Sequence, residues 1–342
     1  MFFFLRRSQV PSTPPPPLSA PLPDDLRGAI RQRLQGLGLW DELIVESSSP
    51  GLGYHQIEVR VPRDLSPIVC NVEISELMSH LGREVIRGEE DPETGVVTMK
   101  VGRPEAEPDL IRLIPDSQLT RKTGRIALIV DDFGYRSLDL TEQFCELRQP
   151  MTFSVLPSLK NSRTISSLIA RSRHEVILHL PMEPLDPLDD PGEGVIRTDQ
   201  SSKEIVGELR RDLRSVPNAK GVNNHMGSKA TADRRVVETV LRELRRRGLF
   251  FIDSRTSSAS VAYETARAMG VKTAQRSVFI DNVDDPTAIQ AELWHVAELA
   301  AERGVVIAIG HNRPNTYFAL ATVLPQLEKR GFQFVRVSEV VY

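Results

Sequence analysis

Residues that can act as acids, bases or metal ligands follow the apolar runs in the second half of this chain. Two adjacent carboxylates, Asp131 and Asp132, come directly after the run RIALIV at 125–130. Carboxylate oxygens and neutral imidazole nitrogens suit Zn²⁺ and related divalent ions, and three such ligands leave one position open for water. Further candidates follow five later apolar runs: His179, His225, Asp253, Asp281 and His311.

We expect a divalent metal to be bound by one carboxylate and two imidazoles, those of Asp132, His179 and His225. Asp131 would then accept a proton from water that the metal activates. His311 would donate a proton to the leaving group. We expect the strand to break at Phe133 and Gly134, which would let both adjacent carboxylates face the site.

Supporting groups are expected around this set. The segment NNHMGS supplies Asn223, Asn224 and Ser228 as substrate-binding residues or as partners that orient the ligands. Asp253 and Asp281 are further candidates of that kind, although a lone aspartate after a strand also caps helices or forms turns.

The elements that must position these residues alternate between short strands and amphipathic helices from residue 124 onward. Seven or eight such units in about 220 residues predict a parallel sheet covered by helices. The number of units favours a closed or nearly closed barrel over an open doubly wound sheet. Strand ends of a β/α barrel share one mouth, so the scattered residues are expected to converge there.

A different histidine pair, His174 and His179, is excluded as a joint metal site. Both lie in one predicted strand, about 16 Å apart at roughly 3.3 Å per residue, and on opposite faces. His174 is therefore expected to be structural.

Three regions are expected along the chain: a proline-rich extended segment over 1–24, a small α+β domain over 25–115 and the β/α barrel over 124–342. The start MFFFLRRSQV lacks the basic-then-apolar order of a signal peptide. The visible N-terminus therefore predicts no export signal, and a longer upstream segment stays open.

Bulk composition excludes several function classes. The chain has 342 residues, of which 40% are hydrophobic and 26% charged, and its net charge of -3 favours neither nucleic acid nor an anionic membrane. No run reaches the roughly 18 apolar residues of a membrane-spanning helix. Cys70 and Cys145 form no metal-ligand spacing and are expected to be inert thiols.

Six motifs in this order resemble the divergent polysaccharide deacetylase family, over about residues 125–340: LIVDDFGY, HEVILHLPMEP, GVNNHMGS, FFIDSRT, VFIDN and IAIGH. The resemblance implies a distorted (β/α) barrel, commonly of seven units. It also implies that Asp131 is the base, Asp132 a metal ligand and His311 the acid. Related enzymes carry a His-x-x-x-His pair of metal ligands. In this chain His225, from another strand, would replace the second histidine of that pair.

The resemblance implies a hydrolase of C–N bonds other than peptide bonds, which removes an N-acetyl group from a carbohydrate. It also implies that the enzyme uses a divalent metal, with Zn²⁺ as the leading candidate. It points to the cell envelope or periplasm. The alternative is a non-catalytic carbohydrate-binding or cell-envelope protein that retains the metal-site residues.

Asp-Phe-Gly at 132–134 also occurs in protein kinases. The chain has neither their His-Arg-Asp loop nor their glycine-rich loop. Its β/α alternation also differs from a kinase fold, so the kinase interpretation is rejected.

Overall fold

The structure is a computed structural model that describes residues 25–48, 55–103, 105 and 107–342. The predicted proline-rich segment 1–24 lies outside the described residues. The chain divides into two compact units, one up to Thr123 together with Gln326–Gly331 and the other of Gly124–Pro325 and Phe332–Tyr342. Among the described residues, no helix is long and apolar enough to cross a membrane.

The first unit contains a five-stranded sheet and two helices that share one apolar core. Its strands lie in the order β1-β2-β5-β4-β3, with β2 and β5 parallel and the other pairs antiparallel. Helix α2 begins at Pro67, where Ser66 caps the free Ile68 N–H. The elements are α1 Leu26–Gln35, β1 Ile44–Ser48, β2 His55–Pro62, α2 Pro67–His80, β3 Glu84–Glu90, β4 Val97–Gly102 and β5 Asp109–Asp116.

The second unit contains a parallel sheet whose strands are buried on both faces, as a sheet covered by helices requires. Its strands are β6 Arg125–Phe133, β7 Thr152–Val155, β8 Glu175–Met182, β9 Gly221–Met226, β10 Phe250–Asp253, β11 Thr273–Gln275, β12 Val278–Phe279, β13 Val305–His311 and β14 Gln333–Val335.

Amphipathic helices alternate with these strands, and several begin at a capping side chain. Ser201 and Glu204 form a reciprocal capping box at the start of α5, and Asp233 caps α6, which ends at Gly248 with φ +69°. The helices are α3 Leu138–Glu146, α4 Ser162–Ala170, α5 Ser202–Ser215, α6 Arg234–Arg247, α7 Ala262–Ala268, α8 Pro286–Arg303 and α9 Pro314–Lys329.

Eight strands of the second unit follow the order β11-β10-β9-β8-β7-β6-β13-β12, and β14 pairs with the start of β6. The sheet curls into a half-barrel whose two edges are β11 and β12. Arg276 and Ser277 connect those two edges. The Arg276 N–H donates to the Asp253 carbonyl, and the Ser277 N–H donates to the Ile307 carbonyl. The predicted fold, a distorted β/α barrel after a small α+β unit, is confirmed.

Candidate metal and acid-base site

The end of β6 brings two neighbouring carboxylates to one side of the strand. Asp132 has φ +65°, in the left-handed region, and the pairing of β6 with β7 shifts register between Val130 and Phe133. This left-handed residue lies inside β6, which ends at Phe133, where the break was expected, and Gly134 follows with φ +127°. The Phe133 ring is buried and stacks on Phe153 at 4.7 Å. Asp132 is a short polar residue that tolerates this backbone conformation.

Three ligand-type atoms converge beside this end of β6. Nε2 of His179 lies 3.3 Å from Oδ1 of Asp132 and 3.0 Å from Nδ1 of His225, and the Asp132–His225 distance is 3.5 Å. Ligand atoms of a tetrahedral Zn²⁺ site lie roughly 3.3 to 3.4 Å apart. Oδ1 of Asp132 is buried without a hydrogen-bond partner. The donor set and its spacing therefore fit a divalent cation.

The protonation of these groups follows from their mutual contacts. Burial alone would raise the pKa of Asp132, but the adjacent His179 ring and its positive charge lower it well below its usual range. Burial and then the charge of His179 lower the pKa of His225 to about 3. Burial opposes protonation of His179, yet Asp131 and Asp132 raise its pKa. A proton held by His179 competes with a cation for the same nitrogen.

Asn223 links Asp131 to His179. Its Nδ2 donates to Oδ1 of Asp131 at 2.9 Å, and its Oδ1 accepts from Nδ1 of His179 at 2.9 Å. Ser154 donates to the same amide oxygen at 2.5 Å. In the neutral ring, the bond between Asn223 and His179 places the proton on Nδ1 and leaves the Nε2 lone pair facing Asp132 and His225. Asn223 was predicted as a supporting residue, whereas Ser154, on β7, was missed.

Asp131 is almost fully buried, and its Oδ2 lies 3.7 Å from Nε2 of His179. Burial raises its pKa, against the opposing charge of His179. A carboxylate with a raised pKa is a better proton acceptor near neutral pH than an exposed one. Asp131 also stands in register with His311 on the neighbouring strand β13.

Asp281 holds His311. Its Oδ1 accepts from Nδ1 of His311 at 2.7 Å, and its Oδ2 accepts from the His311 backbone N–H and the Thr316 hydroxyl, each at 2.7 Å. Burial disfavours the charged ring, but this carboxylate raises the pKa of His311. Asp281 is thus a positioning partner of the expected acid, and Thr316 was missed by the sequence analysis.

Three other predicted residues bond to nearby loops. Asn224 accepts from the Ser254 N–H and donates to the Met226 carbonyl, since it points to the opposite face of β9 from Asn223. Ser228 accepts from the Leu185 N–H at 2.8 Å. Asp253 accepts from the backbone of Arg255 and Tyr263 and from the Ser260 hydroxyl.

His174 precedes β8 and packs away from these ligands. Its ring stacks on Phe153 at 4.5 Å, and its Nδ1 accepts from the Met151 N–H at 3.2 Å. Burial lowers its pKa to about 4. These contacts agree with the expected structural role.

A cleft of about 360 Å³ opens beside Asp132 and His311. Its wall also contains Tyr135, Arg136, Asn312 and Arg313, which the sequence analysis did not select. Tyr135 is the last residue of the motif LIVDDFGY and Arg136 follows it, while Asn312 and Arg313 follow His311. That adjacency was the only available signal.

Known proteins are similar to this chain in sequence and in fold. The family model described as divergent polysaccharide deacetylase matches residues 128–341. The uncharacterised protein YibQ of Escherichia coli K12 is 35% identical over 206 residues, which are 60% of this chain and 63% of that protein. An uncharacterised Haemophilus influenzae protein is 30% identical over 204 residues, 60% of this chain and 72% of that one. This chain thus covers less than two thirds of the E. coli relative.

A crystal structure of an uncharacterised Agrobacterium tumefaciens C58 protein has the same fold. It aligns with a TM-score of 0.61 and 24% identity, over 64% of this chain and 89% of that one.

Proposed function

The chain belongs to the divergent polysaccharide deacetylase family, and we propose that it is a metal-dependent hydrolase that removes an N-acetyl group from a carbohydrate. The observation that carries the proposal is the pairing of Asp131 and His311 on adjacent strands beside the Asp132, His179 and His225 cluster. A base, an acid and three metal ligands are the groups that amide hydrolysis by activated water requires.

Asp132, His179 and His225 would hold the cation. A Zn²⁺ ion there supplies a Lewis acid that lowers the pKa of a bound water and stabilises negative charge on the acyl oxygen. In the neutral ring of His179, the bond from Nδ1–H to Asn223 presents the Nε2 lone pair to the cluster, and the left-handed conformation of Asp132 aims its carboxylate at the same point.

Asp131 and His311 would carry the protons. Asp131 accepts the proton of the attacking water, and its burial raises its pKa toward the range in which a base works at neutral pH. His311, whose pKa Asp281 raises against burial, donates a proton to the departing amine nitrogen. Activity then needs Asp131 ionised and His311 charged, so its pH profile is expected to be bell-shaped.

Acetate release from N-acetylated oligosaccharides tests the proposal. Zinc-loaded protein is expected to release acetate, and Asp131→Asn and His311→Gln are each expected to lower the rate by about 10² or more while retaining zinc. The exposed His295 offers a matched control, since His295→Gln removes a histidine that pairs only with Glu298, at 3.6 Å, in the described structure.

Stoichiometric zinc without acetate release from a broad glycan panel would reject the hydrolase. Retained glycan binding in that experiment would favour the non-catalytic carbohydrate-binding alternative.

A further inference from the structure

The cleft beside the cluster of Asp132, His179 and His225 contains a buried side-chain amide that makes no hydrogen bond to the protein. Asn312 is 2% exposed, and neither its Nδ2 nor its Oδ1 makes a hydrogen bond. Its backbone N–H donates to the Asp131 carbonyl at 2.9 Å, which fixes the residue beside the expected base. Because buried polar groups are usually paired, this amide is a position for a ligand that offers both an acceptor and a donor.

An acylamino group has that pair of functions. Its carbonyl oxygen accepts a hydrogen bond and its N–H donates one, as the two ends of the Asn312 amide require. Asn312 follows His311 directly, so a ligand bound to this amide also lies beside the proton donor.

Two arginines line the same cleft, together with the carboxylate of Asp132. Arg136 is exposed at its wall, and Arg313 is half-buried, with Nη1 donating to the Asp281 carbonyl at 3.0 Å. That bond holds the Arg313 guanidinium at the cleft. Helix α9 begins at Pro314, the next residue, and the N-terminal end of a helix attracts anions.

We propose that this cleft selects a glycan with an anionic group near its acylated amine, with Arg136 and Arg313 binding the anion and Asn312 binding the acylamino group. The inference deepens the proposed function and rests on it, since it takes the cleft as the carbohydrate side of the same site. Guanidinium groups bind both carboxylate and phosphate, so oxyanion is the chemistry assigned.

Calorimetric binding tests this selection, with full-length protein in chelator so that no turnover occurs. The probes are a tetrasaccharide of alternating N-acetylglucosamine and glucuronic acid and the same sugar with its carboxylates reduced to alcohols. We expect the acidic sugar to bind about tenfold more tightly than the reduced one. A phosphorylated N-acetylglucosamine oligomer forms the third arm, and tighter binding of it than of the uronic sugar assigns the anion as phosphate.

Variants separate the two contacts. Arg136→Gln is expected to abolish the preference for the anion, while Arg246→Gln, an exposed arginine near the end of α6, should preserve it. Asn312→Ala should weaken the acidic and reduced sugars equally, because both carry the acylamino group.

Equal affinities for the acidic and reduced sugars without a phosphate preference, or no measurable binding of any probe, would overturn the inference. Preferential binding without acetate release from zinc-loaded protein would reject the proposed function alone. Equal affinities with acetate release from both sugars would reject the inference alone.

Discussion

Nδ1 of His311 lies 2.7 Å from Oδ1 of Asp281, so a buried carboxylate orients the imidazole that we expect to donate a proton. The other oxygen of Asp281 is fixed by the His311 backbone N–H and by the Thr316 hydroxyl. The bond to Asp281 uses Nδ1 of the His311 ring and leaves Nε2 available for substrate. Asp281 therefore influences both the position and the protonation of His311.

Asp281→Asn is expected to reduce acetate release by about 10². The pKa of His311 is raised mainly by Asp281 against burial, so an amide there lowers that pKa. The protonated acid is then lost at lower pH, and the alkaline limb of the rate profile shifts to lower pH. Rate profiles and NMR titration of the His311 ring measure the effect. Asp199→Asn, an exposed aspartate, is the control, and an unshifted alkaline limb in Asp281→Asn would refute the role.

Asp132→Asn should abolish tight zinc binding without disturbing the backbone, because asparagine also tolerates the φ of +65°. Metal analysis after dialysis is expected to find about one zinc per wild-type chain and far less in this variant. Zinc at a hundred times its Kd should stabilise wild-type protein by about 2.7 kcal/mol in thermal unfolding. Equal zinc-dependent stabilisation of wild type and Asp132→Asn would contradict the ligand assignment.

Asn223→Ala is expected to weaken zinc binding by roughly 10- to 100-fold, since it removes the bond that orients His179. Asn224→Ala provides a neighbouring comparison. Asn224 bonds to the Ser254 N–H and the Met226 carbonyl, so its loss should lower the free energy of unfolding by about 1–3 kcal/mol. Competition titration with a zinc indicator measures the zinc affinity of both variants. Equal zinc affinities in Asn223→Ala and Asn224→Ala would reject the role of Asn223 in orienting His179.

Asp212→Asn is expected to stabilise the protein at alkaline pH. Both carboxylate oxygens of Asp212 are buried without a hydrogen-bond partner, and burial raises its pKa from 3.8 to about 8. Between those values the folded state retains a proton that the unfolded state has lost, so wild-type stability falls as pH rises from about 4 to about 8. At pH 9 the variant should exceed wild type on the order of 3 kcal/mol, with little difference at pH 4.

Urea unfolding at the two pH values, with chelator present, measures this difference. Asp199→Asn again serves as the matched control. A gain that is the same at both pH values would show that ionisation of Asp212 is not its cause.

The sequence by itself determined the fold class and most of the chemistry-bearing residues. Apolar runs at strand spacing, separated by amphipathic helices, specify a parallel β/α sheet because both faces of such strands must be buried. Parallel strands then bring Asp131, Asp132, His179, His225 and His311 to one end of the sheet. The expected grouping of Asp132 with His179 and His225 follows from that rule, and the three candidate ligand atoms lie within 4.8 Å of one another.

Only the tertiary structure decided how these groups are oriented. Ser154 and Asn223 meet across strands 69 positions apart in sequence, so no local pattern marks their contact. The same holds for Asp281 and His311, and for the unpartnered amide of Asn312. The left-handed conformation of Asp132, inside β6 and ahead of the expected break at Phe133 and Gly134, lies where the pairing of β6 with β7 shifts register. Hydrogen bonds depend on ångström-scale distances between strands, and those distances are fixed only when the whole sheet packs.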